Sequence, residues 1–276
     1  MTVALPPRRG EPATPGAEPG IAGVTGCYRE APPDLALRGH FSCLWSSTLP
    51  PGPARAVAVL PDGCVDVLWR DGALRVVGPD VTAAHPDLAP GAHVLGARFR
   101  AGAARAWLGL PLSELVGRAV ALEDLWGRAA ADMAARVQEA RDPLGQARAF
   151  HQELLAASRR VAPAEARAAE LFRLCGLPVE DGARALAIRK RLDLSERSVR
   201  RLCHDHFGYG TKTLERILRF QRFFARLRGL PGAASLAVLA AEAGYADQAH
   251  LGREVQALCG ITPARLRQQL RADQAL

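Results

Sequence analysis

The residues best suited to chemistry are arginines in the stretch SERSVRRLCHDHFG, which begins at Ser195. At 3.6 residues per turn, three arginines and a histidine at positions i, i+3, i+4 and i+7 share one helix face. They are Arg197, Arg200, Arg201 and His204. Arginine suits the forked contact with a phosphate and with the two acceptors of a guanine edge. The pattern indicates nucleic-acid recognition, while for a single helix the favoured alternative is a solvated basic face.

A preceding helix and a tight turn position this face. Ser195 is a good N-cap because its hydroxyl can accept a hydrogen bond from a free backbone N–H of the first turn. The opposite face carries residues that pack: Val199, Leu202, Cys203, His206 and Phe207. The preceding segment ARALAIRKRLD places Ala185, Ile188 and Leu192 on one stripe. Two short helices joined this closely, the second with a basic outer face, predict a helix-turn-helix unit.

The same plan recurs later in the chain. SLAVLAAEAGY precedes DQAHLGREV, and Asp247 takes the N-cap place of Ser195, 52 positions later. The matched pairs are Leu251 with Val199, Val255 with Cys203 and Arg253 with Arg201. Two units in tandem, joined by one long helix, are much stronger evidence than one. The outer face of the second helix has small side chains, because Ala249 and Gly252 stand where the first helix has arginines. We therefore predict that the first helix carries most of the sequence discrimination.

Charge is distributed unevenly along the chain. The formal net charge is +8 over 276 residues. From residue 183 to the end there are 17 Lys and Arg against 8 Asp and Glu, whereas residues 1–182 hold 19 against 20. Because Lys and Arg that neutralise phosphates release condensed counterions, this asymmetry favours a polyanion partner for the C-terminal part. A merely solvated basic surface is the alternative.

Composition and missing motifs disfavour several other classes of protein. The six cysteines form no C-x-x-C pair, which favours reduced thiols. His204 and His206 point about 200° apart on a helix, so they predict no shared metal ion. The sequence has no run of about 18 apolar residues that could span a membrane, and the N-terminus lacks the pattern of a secretory signal. Because the sequence has no membrane span and no secretory signal, we expect a cytoplasmic protein, associated with the nucleoid through its nucleic-acid partner. Because nucleophile-elbow and phosphate-loop motifs are missing, we expect that it is not an enzyme and needs no cofactor.

The chain as a whole predicts an α+β protein of two domains. Short apolar runs separated by Pro, Gly and Asp clusters predict a small antiparallel β-sheet or barrel, with a hairpin at the RDG that follows CVDVLW. Later segments are helical, and the last hundred residues predict an all-α tandem helix-turn-helix bridged by a long helix. The predicted boundaries are 1–24 for a disordered tail, 25–127 for a β-rich sensory or dimerisation domain, 128–175 for a helical connector and 176–276 for the DNA-binding domain.

Residues 183–270 resemble the C-terminal DNA-binding domain of the AraC/XylS transcriptional regulators. The similarity rests on SERSVRRL, on the bridge FGYGTKTLERILRFQRF, and on LAAEAGYADQAHLGREV followed by CGITPARLR. It covers about a third of the chain. The resemblance implies sequence-specific binding of double-stranded DNA, with two recognition helices in successive major-groove segments about 34 Å apart on one face of the duplex.

The resemblance assigns roles to individual residues. The base-facing positions fall on Arg197, Arg200, Arg201, Gln248 and Arg253, together with the small Ala249 and Gly252. Backbone or secondary contacts fall on Ser198, His204, Lys212, Arg216, Arg219 and His250. The chain departs from the family pattern at Arg189, where a small residue is usual, and at Cys203 and Val255, where Phe is usual. These departures predict looser packing in the first unit and a thinner core beneath both recognition helices.

The N-terminal part is similar to the corresponding domain of a subset of these regulators, through LPDGCVDVLW, GARFRAGAARAWLGLPLSEL and LEDLWG. The resemblance implies that this domain senses an effector, here a small molecule of unknown identity, or mediates dimerisation. We therefore expect as further partners a homodimer partner, through the helices between residues 122 and 175, and RNA polymerase if the protein is an activator.

Alternatives remain open for the N-terminal part. Arg98 and Arg100 could bind an acidic effector, but a solvated strand edge is favoured. Asp62, Cys64 and Asp66 alternate, and a turn with a small buried thiol is favoured over a ligand site. Trp45, Trp69 and Trp107 fit a core or a pocket equally well. The alternative overall functions are a small-molecule-binding or catalytic β-domain fused to a nonspecific nucleic-acid-binding module, and nonspecific binding alone.

Overall fold

The computed structural model describes residues 19–23, 25–52, 56–178, 181–229 and 234–274. A β-rich N-terminal half and a helical C-terminal half confirm the predicted α+β class. The strands are β1 (Gly20–Ile21), β2 (Cys27–Ala31), β3 (Phe41–Thr48), β4 (Val57–Ala58), β5 (Asp66–Arg70), β6 (Ala73–Val77), β7 (His93–Phe99) and β8 (Ala119–Ala121). The helices are α1 (Ala104–Leu108), α2 (Leu122–Trp126), α3 (Arg128–Glu139), α4 (Pro143–Ser158), α5 (Ala166–Cys175), α6 (Asp181–Leu192), α7 (Glu196–Phe207), α8 (Thr211–Gly229), α9 (Leu236–Ala243), α10 (Gln248–Cys259) and α11 (Pro263–Gln274).

The main sheet has six antiparallel strands in the order β2-β3-β7-β5-β6-β8. Its hairpin between β5 and β6 turns at the predicted RDG. Asp71 and Gly72 both have positive φ, 51° and 77°, which suits a two-residue turn whose twist matches the flanking strands. The sheet is open, and one of its faces packs against helices α1 to α4 to form the N-terminal core.

Aromatic rings fill the middle of this core. Phe41 stacks on Phe99, and Trp107 meets Phe41 edge-on with ring centroids 4.9 Å apart. Trp69 and Trp107 are both core residues, each 3% exposed. Trp45 lies instead on the other face of the sheet, where its indole N–H donates to Asp66 Oδ1 at 2.8 Å. The three tryptophans that the sequence could not distinguish thus separate into two core residues and one polar-face residue.

The predicted disordered tail, residues 1–24, is corrected at its end. Gly20–Ile21 forms β1, which pairs in parallel with Val57–Ala58. Ile21 is 2% exposed and belongs to the core of the C-terminal half. The burial of this apolar side chain, together with backbone hydrogen bonds to Ala56 and Ala58, gives the segment defined structure. The rest of the predicted tail, residues 1–18 and 24, lies outside the described residues.

The C-terminal core includes a helix that the sequence assigned to the connector. Ala168, Leu171, Leu174 and Cys175 of α5 are buried in the same cluster as α6 to α11. A division between α4 and α5 therefore describes the packing better than the predicted boundary at residue 176.

The stripe predicted for the next helix, α6, is also different. Ala185 is exposed, and the buried positions are Arg184, Ile188 and Leu192 at spacing i, i+4, i+8. Arg184 can lie inside because its guanidinium donates to Glu215 at 3.0 Å and to the Leu177 carbonyl at 2.9 Å.

Candidate nucleic-acid interface

The first recognition helix, α7, has the predicted two-faced structure. Ser195 caps it, with the Ser198 N–H donating to Ser195 Oγ at 3.2 Å. Its packed side is anchored by Val199, Cys203 and Phe207. The opposite side exposes the arginines named from the sequence, Arg197, Arg200 and Arg201, with Ser198 and His204 half-buried beside them. The structure thus brings together three guanidiniums on one exposed helix face.

The second recognition helix, α10, is anchored in the same way but has fewer long polar side chains at its base-facing positions. Asp247 caps it by accepting from the His250 N–H at 2.6 Å, and Leu251 and Val255 are fully buried. Gln248, Ala249 and Arg253 are exposed on its outer side. A β-carbon added at Gly252 would meet no described atom within 4 Å, so this position is open space. At the positions that the resemblance makes base-facing, the long polar side chains of α10 are Gln248 and Arg253.

The bridging helix α8 holds the second unit through side chains that the sequence assigned to DNA phosphates. Arg216 Nε donates to Glu254 Oε2 of α10 at 2.6 Å. The guanidinium of Arg219 lies 5.7 Å from the centre of the Tyr245 ring. Lys212, in the first turn of α8, is exposed. Arg216 and Arg219 therefore stabilise the arrangement of the second unit, whatever they also contact.

The departures from the family pattern have simple structural outcomes. Arg189 is exposed, so it extends into solvent and does not enlarge the packed side of α6. Cys203 and Val255 are both fully buried. Burial raises the pKa of the Cys203 thiol, which keeps it a neutral core group.

Side chains from α1 of the N-terminal half and from the start of α5 flank α7, which the sequence did not indicate. Arg105 of α1 lies 3.8 Å from Asp205 of α7, and Glu165, just before α5, lies 2.6 Å from His206 Nε2. Burial lowers the pKa of His206, against the opposing effect of the Glu165 carboxylate. No local pattern predicts these contacts, because Arg105 and Glu165 are far from α7 in the sequence.

A second polar cluster lies on the N-terminal sheet. Arg98 is within 3.3 Å of Asp62, 3.4 Å of Asp66 and 3.7 Å of Glu30. It is therefore neither a solvated edge residue nor an unpaired cation available to an acidic effector. Burial raises the pKa of Asp66 and of the Cys64 thiol, so Cys64 is not an activated thiolate. Asp62 accepts from the Cys64 N–H at 2.9 Å, as the predicted turn requires.

Two capped recognition helices on one bridging helix define a paired helix-turn-helix DNA-binding module. A family model described as a helix-turn-helix domain matches residues 188–269, and one described as a domain of unknown function (DUF6597) matches residues 29–121. No curated protein matches the chain. The resemblance to the AraC/XylS regulators is confirmed for the C-terminal domain, and the chain is a DNA-binding transcription regulator rather than an enzyme.

Two solved structures are similar to the chain, both with a TM-score of 0.46 and 8% sequence identity. An apo variant of ToxT from Vibrio cholerae strain SCE256 is matched over 87% of this chain and 100% of that chain. ToxT from Vibrio cholerae O395 is matched over 82% of this chain and 98% of that chain. None of the described helices is long and apolar enough to cross a membrane.

Proposed function

We propose that the protein recognises a specific DNA sequence by inserting α7 and α10 into successive major-groove segments on one face of the duplex. The observation that carries this proposal is the pair of capped helices with exposed arginines, held on one bridging helix. Recognition helices of this kind read bases about one helical turn, roughly 34 Å, apart.

The two helices contribute unequally. Three exposed arginines on α7 provide forks for guanine edges or phosphates, whereas the proposed base-facing positions of α10 carry two long polar side chains, Gln248 and Arg253. Helix α7 therefore carries most of the sequence discrimination, and α10 fixes position and adds one or two bases.

Other polar side chains orient the protein on the DNA backbone. Ser198, His204, Lys212 and His250 are the candidates for these phosphate or secondary contacts. Arg216 and Arg219 are further candidates. They would bind phosphate through the N–H donors that their contacts with Glu254 and Tyr245 leave free. Contacts to phosphate set the register of the protein but carry no sequence information.

The N-terminal half modulates this binding. Its direct contact with α7 through Arg105 supports the proposal, because a change in that half would reach a base-reading helix. The signal is an effector of unknown identity, or dimerisation through the helices between residues 122 and 175. As an activator the protein would also contact RNA polymerase.

Selection of DNA bound by the full-length protein tests the proposal. We expect two conserved half-sites one helical turn apart, the stronger one belonging to α7. Replacing Arg201 by Ala should cost about 1–3 kcal/mol of binding free energy and relax one base position, as measured by gel-shift titration. Arg253→Ala, the corresponding change in α10, should relax one position of the weaker half-site. Unchanged affinity and base preference in the Arg201 variant would refute the assignment of α7.

A further inference from the structure

A cleft of about 420 Å³ lies between the N-terminal half and the first recognition helix. Arginines from three helices line it: Arg105 from α1, Arg167 from α5 and Arg201 from α7. Ser198 of α7, one turn before Arg201, lines the same cleft. The base-reading helix α7 thus shares one concave basic surface with α1 of the N-terminal half and with the start of α5.

The carboxylates of the cleft are already engaged. Asp205 pairs with Arg105 at 3.8 Å, and Glu165 pairs with His206 at 2.6 Å. Arg167 and Arg201 are exposed, and within the described part of the chain neither makes an ion pair. Beside the base-facing Arg201, the cleft therefore presents the guanidinium of Arg167, which is free to bind an anion.

The position of the cleft indicates which anion reaches it. A helix with its side chains is about 10–12 Å across, and the major groove of B-DNA is about 12 Å wide. When α7 occupies the groove, its flanks therefore face the phosphates at the groove edges. The flank that carries Ser198, Arg201 and Asp205 is the one beside Arg105 and Arg167.

We propose that Arg167, at the start of α5, binds the phosphate backbone of double-stranded DNA beside α7. This proposal rests on the proposed function, because it requires α7 to lie in the major groove. It also revises the conclusion drawn from charge. Residues 1–182 carry no net basic excess, yet the fold places two of their arginines next to the recognition helix.

Salt dependence of binding by the full-length protein tests the proposal. The logarithm of the affinity for the selected DNA site falls linearly with the logarithm of salt concentration, with a slope proportional to the number of phosphates neutralised. Arg167→Gln should make this slope shallower by about 0.9. Arg167→Lys, which keeps the charge, should preserve it.

The control is Arg128→Gln on α3. The Arg128 side chain is 92% exposed, and its helix packs on α2, α4 and β6. We expect the wild-type slope for this variant. We also expect the affinity loss of the Arg167 variant to be equal on the selected site and on unrelated DNA, because phosphate contacts carry no sequence information.

A wild-type slope in the Arg167→Gln variant would overturn the proposal. If inorganic phosphate then raised the melting temperature of the wild-type protein but not of the Arg167 variant, the cleft would be a site for small anions instead. Failure of the proposed function is recognised separately, by Arg201→Ala leaving affinity and base preference unchanged.

Discussion

Several arginines of the C-terminal third hold the fold together rather than face DNA. Arg222 donates to the carbonyls of Gly176 and Ala243, at 2.6 and 3.2 Å, and so ties the ends of α5 and α9 to α8. Arg184, whose side chain is 4% exposed, pairs with Glu215 inside the core. Removing one partner of a buried ion pair typically costs about 3–5 kcal/mol, so these positions are unsuitable for testing DNA contacts. The basic composition therefore overstates the size of the DNA-binding surface.

His206 is the residue whose ionisation should affect stability. It is 6% exposed, at the contact between α7 and the N-terminal half, and faces Glu165, Arg105 and Asp205. Burial lowers its pKa below the ordinary value of 6.5 in the folded protein. Below about pH 6.5 the imidazole is protonated in the unfolded chain but stays neutral in the folded protein. Because the unfolded state then binds more protons, the free energy of unfolding should fall as the pH drops below about 6.5.

The variant His206→Gln should reduce this part of the pH dependence, because glutamine can donate a hydrogen bond to Glu165 but does not titrate. Urea unfolding at about pH 7.5 and about pH 5.5 measures the effect. We expect a smaller loss of stability on acidification in the variant than in the wild-type protein. An equal loss in both would show that other groups cause the acid sensitivity.

At the scale of elements, the two recognition helices share their architecture and differ in their outer faces. Each begins with a capping side chain, Ser195 or Asp247, and ends at a glycine with positive φ, Gly208 or Gly260. The difference lies in Gly252, which leaves space on α10 where α7 carries Arg200. A glycine inside a helix lowers stability. Gly252 is therefore explained in one of two ways: α10 contributes little to base recognition at this position, or its backbone approaches the DNA closely here.

The variant Gly252→Ala distinguishes these two roles. Alanine should stabilise α10 by about 0.5–1 kcal/mol, measured by thermal or denaturant unfolding, because the added methyl group meets open space. If α10 is the weaker reader, affinity for the selected DNA site should not change. A large loss of affinity with the gain in stability intact would mean that the backbone at this position lies against a base or phosphate.

At the scale of the whole molecule, the N-terminal half contacts both helix-turn-helix units. Gln221 of the bridging helix α8 donates to the Pro61 carbonyl at 2.7 Å, and Arg105 of α1 lies 3.8 Å from Asp205 of α7. The Ala83 N–H donates to the carbonyl of Leu258 in α10 at 2.7 Å. Because the N-terminal half contacts α8 and α10 as well as α7, it restrains the orientation of the two recognition helices relative to each other.

The glycines that end the recognition helices allow this docking to be measured. A β-carbon at Gly208 would lie 2.6 Å from Val116 and 2.9 Å from Pro79, both in the N-terminal half, whereas one at Gly260 would meet no described atom within 4 Å. Both have positive φ, so alanine at either position costs about 1–2 kcal/mol of backbone strain.

Gly208→Ala should therefore destabilise the protein by about 1–3 kcal/mol more than its matched control Gly260→Ala, because only the former disrupts packing between the halves. Denaturant unfolding of the full-length variants measures the difference. Equal losses would mean that the contact between Gly208 and the N-terminal half contributes little to stability.

The sequence by itself determined the local features of this protein. The hairpin at Asp71 and Gly72, the caps Ser195 and Asp247, and the exposed arginines of α7 all depend on residues within a few positions of one another. Their turn chemistry, capping and helical periodicity can therefore be recognised without the fold. The tandem repeat of this local pattern was enough to identify the DNA-binding domain.

Only the tertiary structure decided which distant segments meet. The burial of Ile21, the inclusion of α5 in the C-terminal core and the inward position of Arg184 each depend on partners remote in the chain. The same holds for Arg105 and Arg167 beside α7, because neither lies in a pattern that predicts a neighbour. Such contacts are selected by how whole surfaces pack and by whether each buried polar group finds a partner, and these conditions are set by the complete fold.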